Sequence, residues 1–233
     1  MGTGIAVTSA PLQQLADDLW VATRPLKIIV GDIGTRMTVI RIAQELLLHS
    51  PVALDASTQE ALDRLGRVRW IVGPSKAHHL FLGDWVRAYP SAELWGAPGL
   101  AEKRTDLHFD HVLDDAIAAP WRGGLLHTLV RGMPRVNEVA FFHPSSRTLV
   151  LTDLAFNVPR GARNARLFHR LVGATGRFGP HRLVRLAIRD RAAMRASMKE
   201  VLLWDFDRVV VTHGDVLETG GKRQMQHAFA FLG

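Results

Sequence analysis

Short apolar runs rich in β-branched residues alternate along this chain with stretches of helical spacing. The short runs are bounded by glycine or proline, which is typical of strands. They lie at 18–28, 35–43, 45–54, 68–73, 92–98, 125–132, 138–144, 148–153 and 208–214. Segments with helical character lie at 57–66, 80–90, 190–206 and 220–232. The pattern therefore predicts a mixed α/β chain.

Local signals mark the ends of some of these elements. Ser57 followed three residues later by Glu60 predicts a capping box at the start of the first helix, and Gly66 is placed to end that helix. Residues 144–147, Pro-Ser-Ser-Arg, predict a tight turn between two neighbouring strands.

The order of strands and helices repeats in the two halves of the chain. Two successive halves in which strands precede helices favour two sheets packed face to face with helices on their outer surfaces. A length of 233 residues suits one domain. We therefore expect a four-layer α/β sandwich formed by a single domain over residues 1–233.

Composition narrows the class of protein. Hydrophobic residues make up 47% and charged residues 22% of the chain, as in ordinary globular proteins. No apolar run approaches the roughly 20 residues of a membrane-spanning helix. The chain has no cysteine, which excludes disulfides and thiolate metal sites. Since the first residues also lack the pattern of a secretory signal, we expect a cytoplasmic protein.

The formal net charge of +7 is concentrated in an arginine-rich stretch at 160–195, which we expect to be helical. A basic surface can bind nucleic acid. However, the stretch holds only Phe168 and Phe178 as aromatic residues, which is sparse for stacking on bases. A solvated helical face is the favoured interpretation, and nucleic-acid processing is the least favoured function.

Polar residues follow three of the predicted buried strands. His78 and His79 come after 68–73, Asp153 ends 148–153, and His213 follows an apolar run in the last strand. Loops at the carboxyl ends of strands converge on a rigid frame in layered α/β folds. A carboxylate at such a position is costly to bury unless it is paired or binds a metal. These residues are therefore the candidates for the functional site.

Two longer motifs carry a family resemblance. The stretches GTRMTVIR at 34–41 and FFHPSSRTLVLTDLAFN at 141–157 resemble a domain-of-unknown-function branch of the metallo-β-lactamase fold superfamily. The resemblance extends over nearly the whole chain. It implies an αββα sandwich, and it implies a hydrolase with one or two metal ions, usually zinc.

Matched to the superfamily's His-x-His-x-Asp-His motif, the resemblance is partial. Pro74 and Lys76 stand where the first two histidines belong. The third histidine has no counterpart near 131–139. The resemblance thus implies that the first of the two metal sites is lost.

The second metal site keeps a full set of candidate ligands. His78 replaces the motif aspartate, and His79 matches the last motif histidine. Asp153 and His213 match the bridging aspartate and the final histidine. The resemblance implies that these four residues hold one metal ion, and three imidazoles with one carboxylate suit zinc or iron(II).

Asp153 and Lys76 are the candidate catalytic residues. Asp153 or a neighbouring histidine would manage the proton of a bound water, while the Lys76 ammonium would substitute for the lost metal and help to bind an anionic substrate. Alternatively, Lys76 and Asp153 neutralise each other, the histidines form a hydrogen-bonded cluster, and no metal binds.

Two functions therefore stay open. The first is a metal-dependent hydrolase acting on an ester, lactone or phosphoester of a small molecule. The second is a non-catalytic binding or scaffold protein without metal, whose basic face docks an acidic partner.

Other polar residues offer weaker candidates. Glu138 either reaches the pocket or starts a strand, and Asp215 either orients a ligand histidine or caps a turn. His143, Ser145 and Ser146 lack the Gly-x-Ser-x-Gly pattern of a nucleophile, so we expect a turn there. We place the remaining histidines on the surface or in satisfied core positions; they are His49, His108, His111, His127, His169, His181 and His227.

Overall fold

The computed structural model describes residues 11–28, 31–115, 119–159, 173 and 176–233. Its strands are β1 Gln13–Ala16, β2 Leu19–Arg24, β3 Lys27–Ile28, β4 Gly31–Asp32, β5 Thr35–Ile42, β6 Glu45–His49, β7 Arg67–Gly73, β8 Glu93–Gly96, β9 His111–Val112, β10 Leu126–Leu129, β11 Val139–His143, β12 Thr148–Val150, β13 Phe156–Asn157, β14 Phe178–Gly179 and β15 Arg208–Val210. Its α-helices are α1 Ala56–Leu65, α2 Leu82–Ala88, α3 Arg182–Ala187, α4 Arg191–Leu203 and α5 Gly221–Phe229. A 3₁₀ turn follows at Ala230–Leu232.

The strands form two main sheets. The large sheet has seven strands in the order β1-β2-β5-β6-β7-β8-β9, and the small sheet has four in the order β10-β11-β12-β15. In the large sheet, β6, β7 and β8 run parallel to one another. In the small sheet, β12 and β15 are parallel. Two short hairpins, β3-β4 and β13-β14, complete the described strands.

The two sheets pack against each other through the alternating side chains of their strands. Leu19 and Val21 of β2 belong to the buried cluster that also contains Phe141 of the small sheet. Their neighbours Trp20 and Ala22 lie in a different cluster, on the outer face of the large sheet. Since successive side chains of a strand point to opposite faces, β2 is buried on both sides.

Helices cover both outer faces. Leu62 of α1 and Trp85 of α2 pack on the outer face of the large sheet. Met198 of α4 and Met225 of α5 pack on the outer face of the small sheet, against residues such as Phe142. The predicted four-layer α/β sandwich is therefore confirmed.

The first helix begins earlier than predicted. Its N-cap is Asp55, whose Oδ1 accepts the Thr58 amide at 2.9 Å, so the predicted capping box of Ser57 and Glu60 is wrong. Asp55 also pairs with Arg24 at 2.8 Å, and this distant partner favours the earlier cap. The predicted end is confirmed, because the amide of Gly66 donates to Leu62 O at 3.1 Å.

The predicted arginine-rich helix at 160–195 is described only in part. Residues 160–172, 174 and 175 lie outside the described residues, and His169 lies among them. Beyond them, the expectation is wrong at Phe178–Gly179, which form strand β14 by pairing with β13. It holds for α3 and the start of α4, where Asp190 caps the helix by accepting the Ala193 amide at 2.9 Å.

None of the helices in the described ranges combines the length and the apolar character needed to cross a bilayer.

The topology brings several strand ends to one edge of the sandwich. The parallel strands β6 and β7 end together, and the parallel strands β12 and β15 end together in the other sheet. The loops that follow β7, β12 and β15 carry His78, Asp153 and His213. The candidate site lies where these loops meet.

Candidate metal centre

Three of the four candidate ligands converge at this edge. His78 Nε2 lies 3.2 Å from Asp153 Oδ2, and His213 Nε2 lies 3.6 Å from Asp153 Oδ1. One donor atom from each residue can be chosen so that all three lie within 4.8 Å of one another. The Asp153 carboxylate thus stands between two imidazole rings.

The orientation of His213 is fixed by backbone groups. Its Nδ1 lies 2.7 Å from Gly34 O, a carbonyl that can only accept, so Nδ1 carries a proton. In the neutral ring, Nε2 then keeps its lone pair and faces Asp153. The chain before His213 is anchored by Arg36, whose guanidinium donates to Val211 O across the two sheets. This arrangement presents Nε2 as a metal ligand.

His78 is held by a turn and by the neighbouring strand. Its ring Nδ1 lies 2.9 Å from Ser50 Oγ, at the end of β6. Ser75 Oγ accepts the amides of Ala77 and His78, each at 3.3 Å, and shapes the loop after β7. As a result, Nε2 rather than Nδ1 faces Asp153.

The charges of the site are strongly coupled. Burial alone would raise the pKa of Asp153, but His78, His213 and His181 outweigh burial and lower this pKa to about 2. Burial alone would lower the pKa of His78, but Asp153 and Glu138 outweigh it and the pKa of His78 is raised. The carboxylate of Asp153 is therefore ionised at neutral pH.

Glu138 lies beneath this cluster with a fully buried side chain. Its carboxylate oxygens accept the amides of Thr152 at 2.6 Å and Asp153 at 2.9 Å. Burial and the charge of Asp153 raise the pKa of Glu138 to about 7. The sequence left two roles open for Glu138, reaching the pocket or starting a strand. The strand begins one residue later, at Val139, and the Glu138 side chain supports the Asp153 loop without lining the cavity described below.

The structure places His79 apart from the three-residue cluster. Its Nδ1 lies 3.3 Å from an Arg104 guanidinium nitrogen, and because arginine only donates, Nδ1 accepts. Burial together with Lys103 and Arg104 lowers the pKa of His79. His79 is thus a neutral side chain at the rim of the site.

Lys76 also points away from Asp153. Its Nζ lies 3.4 Å from Pro134 O, and its side chain packs over Gly99. Among the described residues, Lys76 and Asp153 form no ion pair within 4 Å. The mutual neutralisation of Lys76 and Asp153 weighed from the sequence is therefore not what the structure shows.

A cavity of about 230 Å³ opens beside the cluster and is lined by His78, His79, Asp153 and His213. The rest of its wall is mostly apolar, with Leu26, Ile33, Pro51, Ala77, Leu80 and Phe81 beside the polar Thr35 and Ser50. No lysine or arginine of the described residues lines this cavity. The cavity therefore combines the polar cluster with a mostly apolar wall.

Two buried histidines near the site were not predicted to belong to it. His181 packs on Phe156 with ring centroids 4.3 Å apart, and its charge acts on Asp153. His49 is fully buried, and its Nε2 has no hydrogen-bond partner in the described part of the chain. Burial lowers the pKa of His49 to about 3. One feature of the sequence could have identified His49 as a residue near the site. It lies at the end of an apolar run, one residue before Ser50.

The donor set fits a divalent metal. Metal–ligand bonds of 2.0–2.2 Å at tetrahedral angles put ligand atoms roughly 3.3 Å apart. Here each imidazole lies 3.2 or 3.6 Å from one of the two Asp153 oxygens, and one donor atom from each residue lies within 4.8 Å of the others. Two imidazoles and a carboxylate are ligands that zinc and iron(II) accept. Three protein ligands leave a coordination position for water, as in catalytic sites.

The remaining candidates are structural. The backbone of Asp215 pairs with Asn157, through its amide and Asn157 O at 2.8 Å. His143, Ser145 and Ser146 form the predicted turn, with His143 Nδ1 at 2.7 Å from Ser146 Oγ.

Comparisons with solved structures agree with this fold. A metallo-β-lactamase from Erythrobacter litoralis is 15% identical, with a TM-score of 0.68 over 95% of each chain. FIM-1 from Pseudomonas aeruginosa, in a mono-zinc form, is 13% identical, with a TM-score of 0.66 over 95% of this chain and 93% of that one. A metallo-β-lactamase from Pontibacter korlensis is 14% identical, with a TM-score of 0.64 over 95% and 97%. These likenesses show a metallo-β-lactamase fold.

The comparison with curated proteins found no match. A family model described as "Domain of unknown function (DUF4336)" matches residues 16–171, about two thirds of the chain. This match includes His78 and Asp153 and both motifs that carried the resemblance. The chain is therefore a member of the DUF4336 family and has a metallo-β-lactamase fold.

Proposed function

We propose that this protein is a hydrolase that uses one divalent metal ion, zinc or iron(II), held by His78, Asp153 and His213. The observation that carries the proposal is the convergence of three ligand atoms within 4.8 Å beside an open cavity. The proposal includes a cytoplasmic location, with which the absence of cysteine is compatible.

We assign a different chemical role to each of the residues at this site. A bound metal supplies Lewis acidity and lowers the pKa of a bound water. Asp153, held ionised by its neighbours, is the proton acceptor that we propose. His79 keeps its proton on Nε2 when Nδ1 accepts from Arg104, so its ring offers a donor to a substrate oxygen at the cavity rim.

The wall of the cavity favours an apolar substrate. Phosphoesters are usually bound by lysine or arginine, and no described residue of either type lines this cavity. Leu26, Ile33 and Phe81 instead offer contact to an apolar group. We therefore propose an ester or lactone with an apolar substituent. The anionic substrate and the catalytic role of Lys76 expected from the sequence stay predictions.

Metal content tests the proposal. Purified without affinity-tag metal, the parent protein should carry about one equivalent of metal by elemental mass spectrometry. His78→Ala and His213→Ala should lose it, whereas His79→Ala should keep it, because His79 bonds to Arg104 outside the cluster. A parent that takes up no zinc, iron or manganese contradicts the proposal.

One observation favours a second function. His78 Nε2 and Asp153 Oδ2 already satisfy each other at 3.2 Å, as expected of a hydrogen-bonded cluster without metal. On this alternative the protein is a non-catalytic binding or scaffold protein. His213→Ala would then change thermal stability alone, and the hydrolysis of apolar esters by the parent protein would be absent.

A further inference from the structure

Glu138 is a buried carboxylate that the proposed chemistry does not use. Its side chain has no exposed surface. Within the described part of the chain, no lysine or arginine pairs with it; its hydrogen bonds come from two successive backbone amides. Burying a carboxyl group is costly unless its oxygens are hydrogen-bonded, as these two are.

The two amides belong to the loop that carries Asp153. The amide of Leu151 still follows the sheet and donates to Val210 O at 2.9 Å. The next two amides, of Thr152 and Asp153, leave the sheet and donate to Glu138 at 2.6 and 2.9 Å. The carboxylate therefore takes the place of a neighbouring strand and fixes the backbone of Asp153 itself.

The segment around Glu138 also holds the loop that carries His78. The amide of Val139 donates to Pro74 O at 2.8 Å, and the amide of Lys76 donates to Val136 O at 2.8 Å. Residues 136–139 thus contact the His78 loop through backbone groups and the Asp153 loop through one side chain. Two of the three ligand loops depend on this segment for their relative position.

We infer that Glu138 is a positioning residue of the metal centre, which fixes the backbone of the Asp153 loop relative to the His78 loop. This inference rests on the proposed metal site. It assigns to Glu138 no contact with substrate. Residues that orient ligands in this way contribute roughly 10–100-fold to metal affinity.

Zinc affinity of three variants tests the inference. Glu138→Leu removes both acceptor oxygens, and zinc binding should weaken about 100-fold. Glu138→Gln keeps one acceptor oxygen but turns an NH₂ group toward the other amide, so zinc binding should weaken about 10-fold. Ser197→Ala is the matched control, because the buried Ser197 Oγ accepts the Arg131 amide at 3.0 Å on the outer side of the small sheet.

The affinities are measured by competition with a chromophoric chelator, with circular dichroism confirming that each variant folds. If Glu138→Leu does not fold, Glu138→Gln and Ser197→Ala decide. The inference is overturned if the Glu138 variants bind zinc within twofold of Ser197→Ala.

Amide hydrogen exchange in the metal-free protein separates this inference from the proposed function. If the parent binds no zinc, the proposed function fails, and the exchange rates of the Thr152 and Asp153 amides decide on Glu138. Exchange at least 10-fold faster in Glu138→Gln than in the parent supports positioning of the Asp153 loop. Unchanged exchange overturns it.

Discussion

The β11–β12 hairpin has a polar cluster at each end, and the two are assembled differently. At the turn, His143 Nε2 lies 3.1 Å from Ser145 Oγ and Nδ1 lies 2.7 Å from Ser146 Oγ. Ser146 Oγ donates onward to Thr148 Oγ1 at 2.9 Å. Among the described residues, the hydrogen bonds of this side-chain cluster of His143, Ser145, Ser146 and Thr148 stay within six consecutive residues, so the cluster is satisfied locally.

At the other end of the hairpin, the partners come from distant parts of the chain. Glu138 holds the amide of Asp153 fifteen residues away, and the His213 ring bonds to Gly34, 179 residues away. The Asp153 carboxylate lies 3.2 Å from Nε2 of His78, which follows a strand of the other sheet. A locally closed cluster needs no ligand to be satisfied. When the fold brings imidazoles and carboxylates together from distant parts of the chain, a ligand can replace the contacts that these groups make with one another.

The largest expected difference between the two ends is in metal binding. Asp153→Asn keeps the size of the side chain but removes the charge between the two imidazoles. Because Asp153 is itself a proposed ligand, zinc affinity should fall by more than the roughly 100-fold upper value for residues that only orient ligands. Ser146→Ala at the turn should bind zinc as the parent does. Equal affinities for Asp153→Asn and Ser146→Ala would remove the distinction between the two ends.

The site should also make the stability of the fold sensitive to acid, through the buried His49. His49 has a pKa lowered to about 3 by burial, against 6.5 in the unfolded chain. Below pH 6.5, His49 binds a proton in the unfolded state but not in the folded state. The free energy of unfolding therefore decreases as the pH is lowered toward about 3. The loss is about 1.4 kcal/mol per pH unit, or about 2 kcal/mol between pH 6.5 and 5.

His49→Phe removes this titration, and the Phe ring retains the packing on Phe141, whose centroid lies 5.1 Å from that of His49. Urea unfolding at pH 7 and pH 5 should show about 2 kcal/mol less acid destabilisation in this variant. His108→Gln, at a ring 90% exposed, is the control and should match the parent. An unchanged pH dependence in His49→Phe contradicts the buried neutral state of His49.

The layers and the site edge were predictable from the sequence because both depend on local patterns. Strands buried on both faces produce continuous apolar runs, and such runs predicted β7, β12 and β15. Polar residues after those runs then marked the edge. The single-domain organisation over 1–233 stays a prediction.

The assignment of individual ligands depended on contacts between distant residues. His78 and His79 are adjacent, and the sequence predicted both of them as metal ligands. The Ser75 turn directs one toward Asp153, and Arg104, 25 residues away, holds the other. Glu138 had two open roles for the same reason, since its partner amides lie 14 and 15 residues along the chain.

A smaller effect is expected from breaking the turn. Ser146→Ala removes the partner of His143 Nδ1, and Thr148 Oγ1 loses a donor. The loss should be about 1 kcal/mol of unfolding free energy, the usual contribution of such a hydrogen bond. Urea unfolding at pH 7 measures it. A loss above about 3 kcal/mol would mean that the turn supports more of the fold than its local bonds indicate.

The smallest effect should come from the exposed ion pair beside the turn. Arg147 and Asp205 approach to 2.9 Å, but their side chains are 55% and 78% exposed. Solvent screens such pairs, whose contribution runs from nothing measurable to about 1 kcal/mol, and substitutions at exposed sites mostly stay within about 0.5 kcal/mol. Asp205→Asn should therefore unfold in urea within about 0.5 kcal/mol of the parent and keep its zinc affinity. Because Arg147 also donates to the backbone carbonyl of Asp205 at 3.2 Å, the loop stays joined to the turn when the charge is removed. A larger loss would show that this end of the hairpin, too, depends on a contact between residues far apart in the sequence.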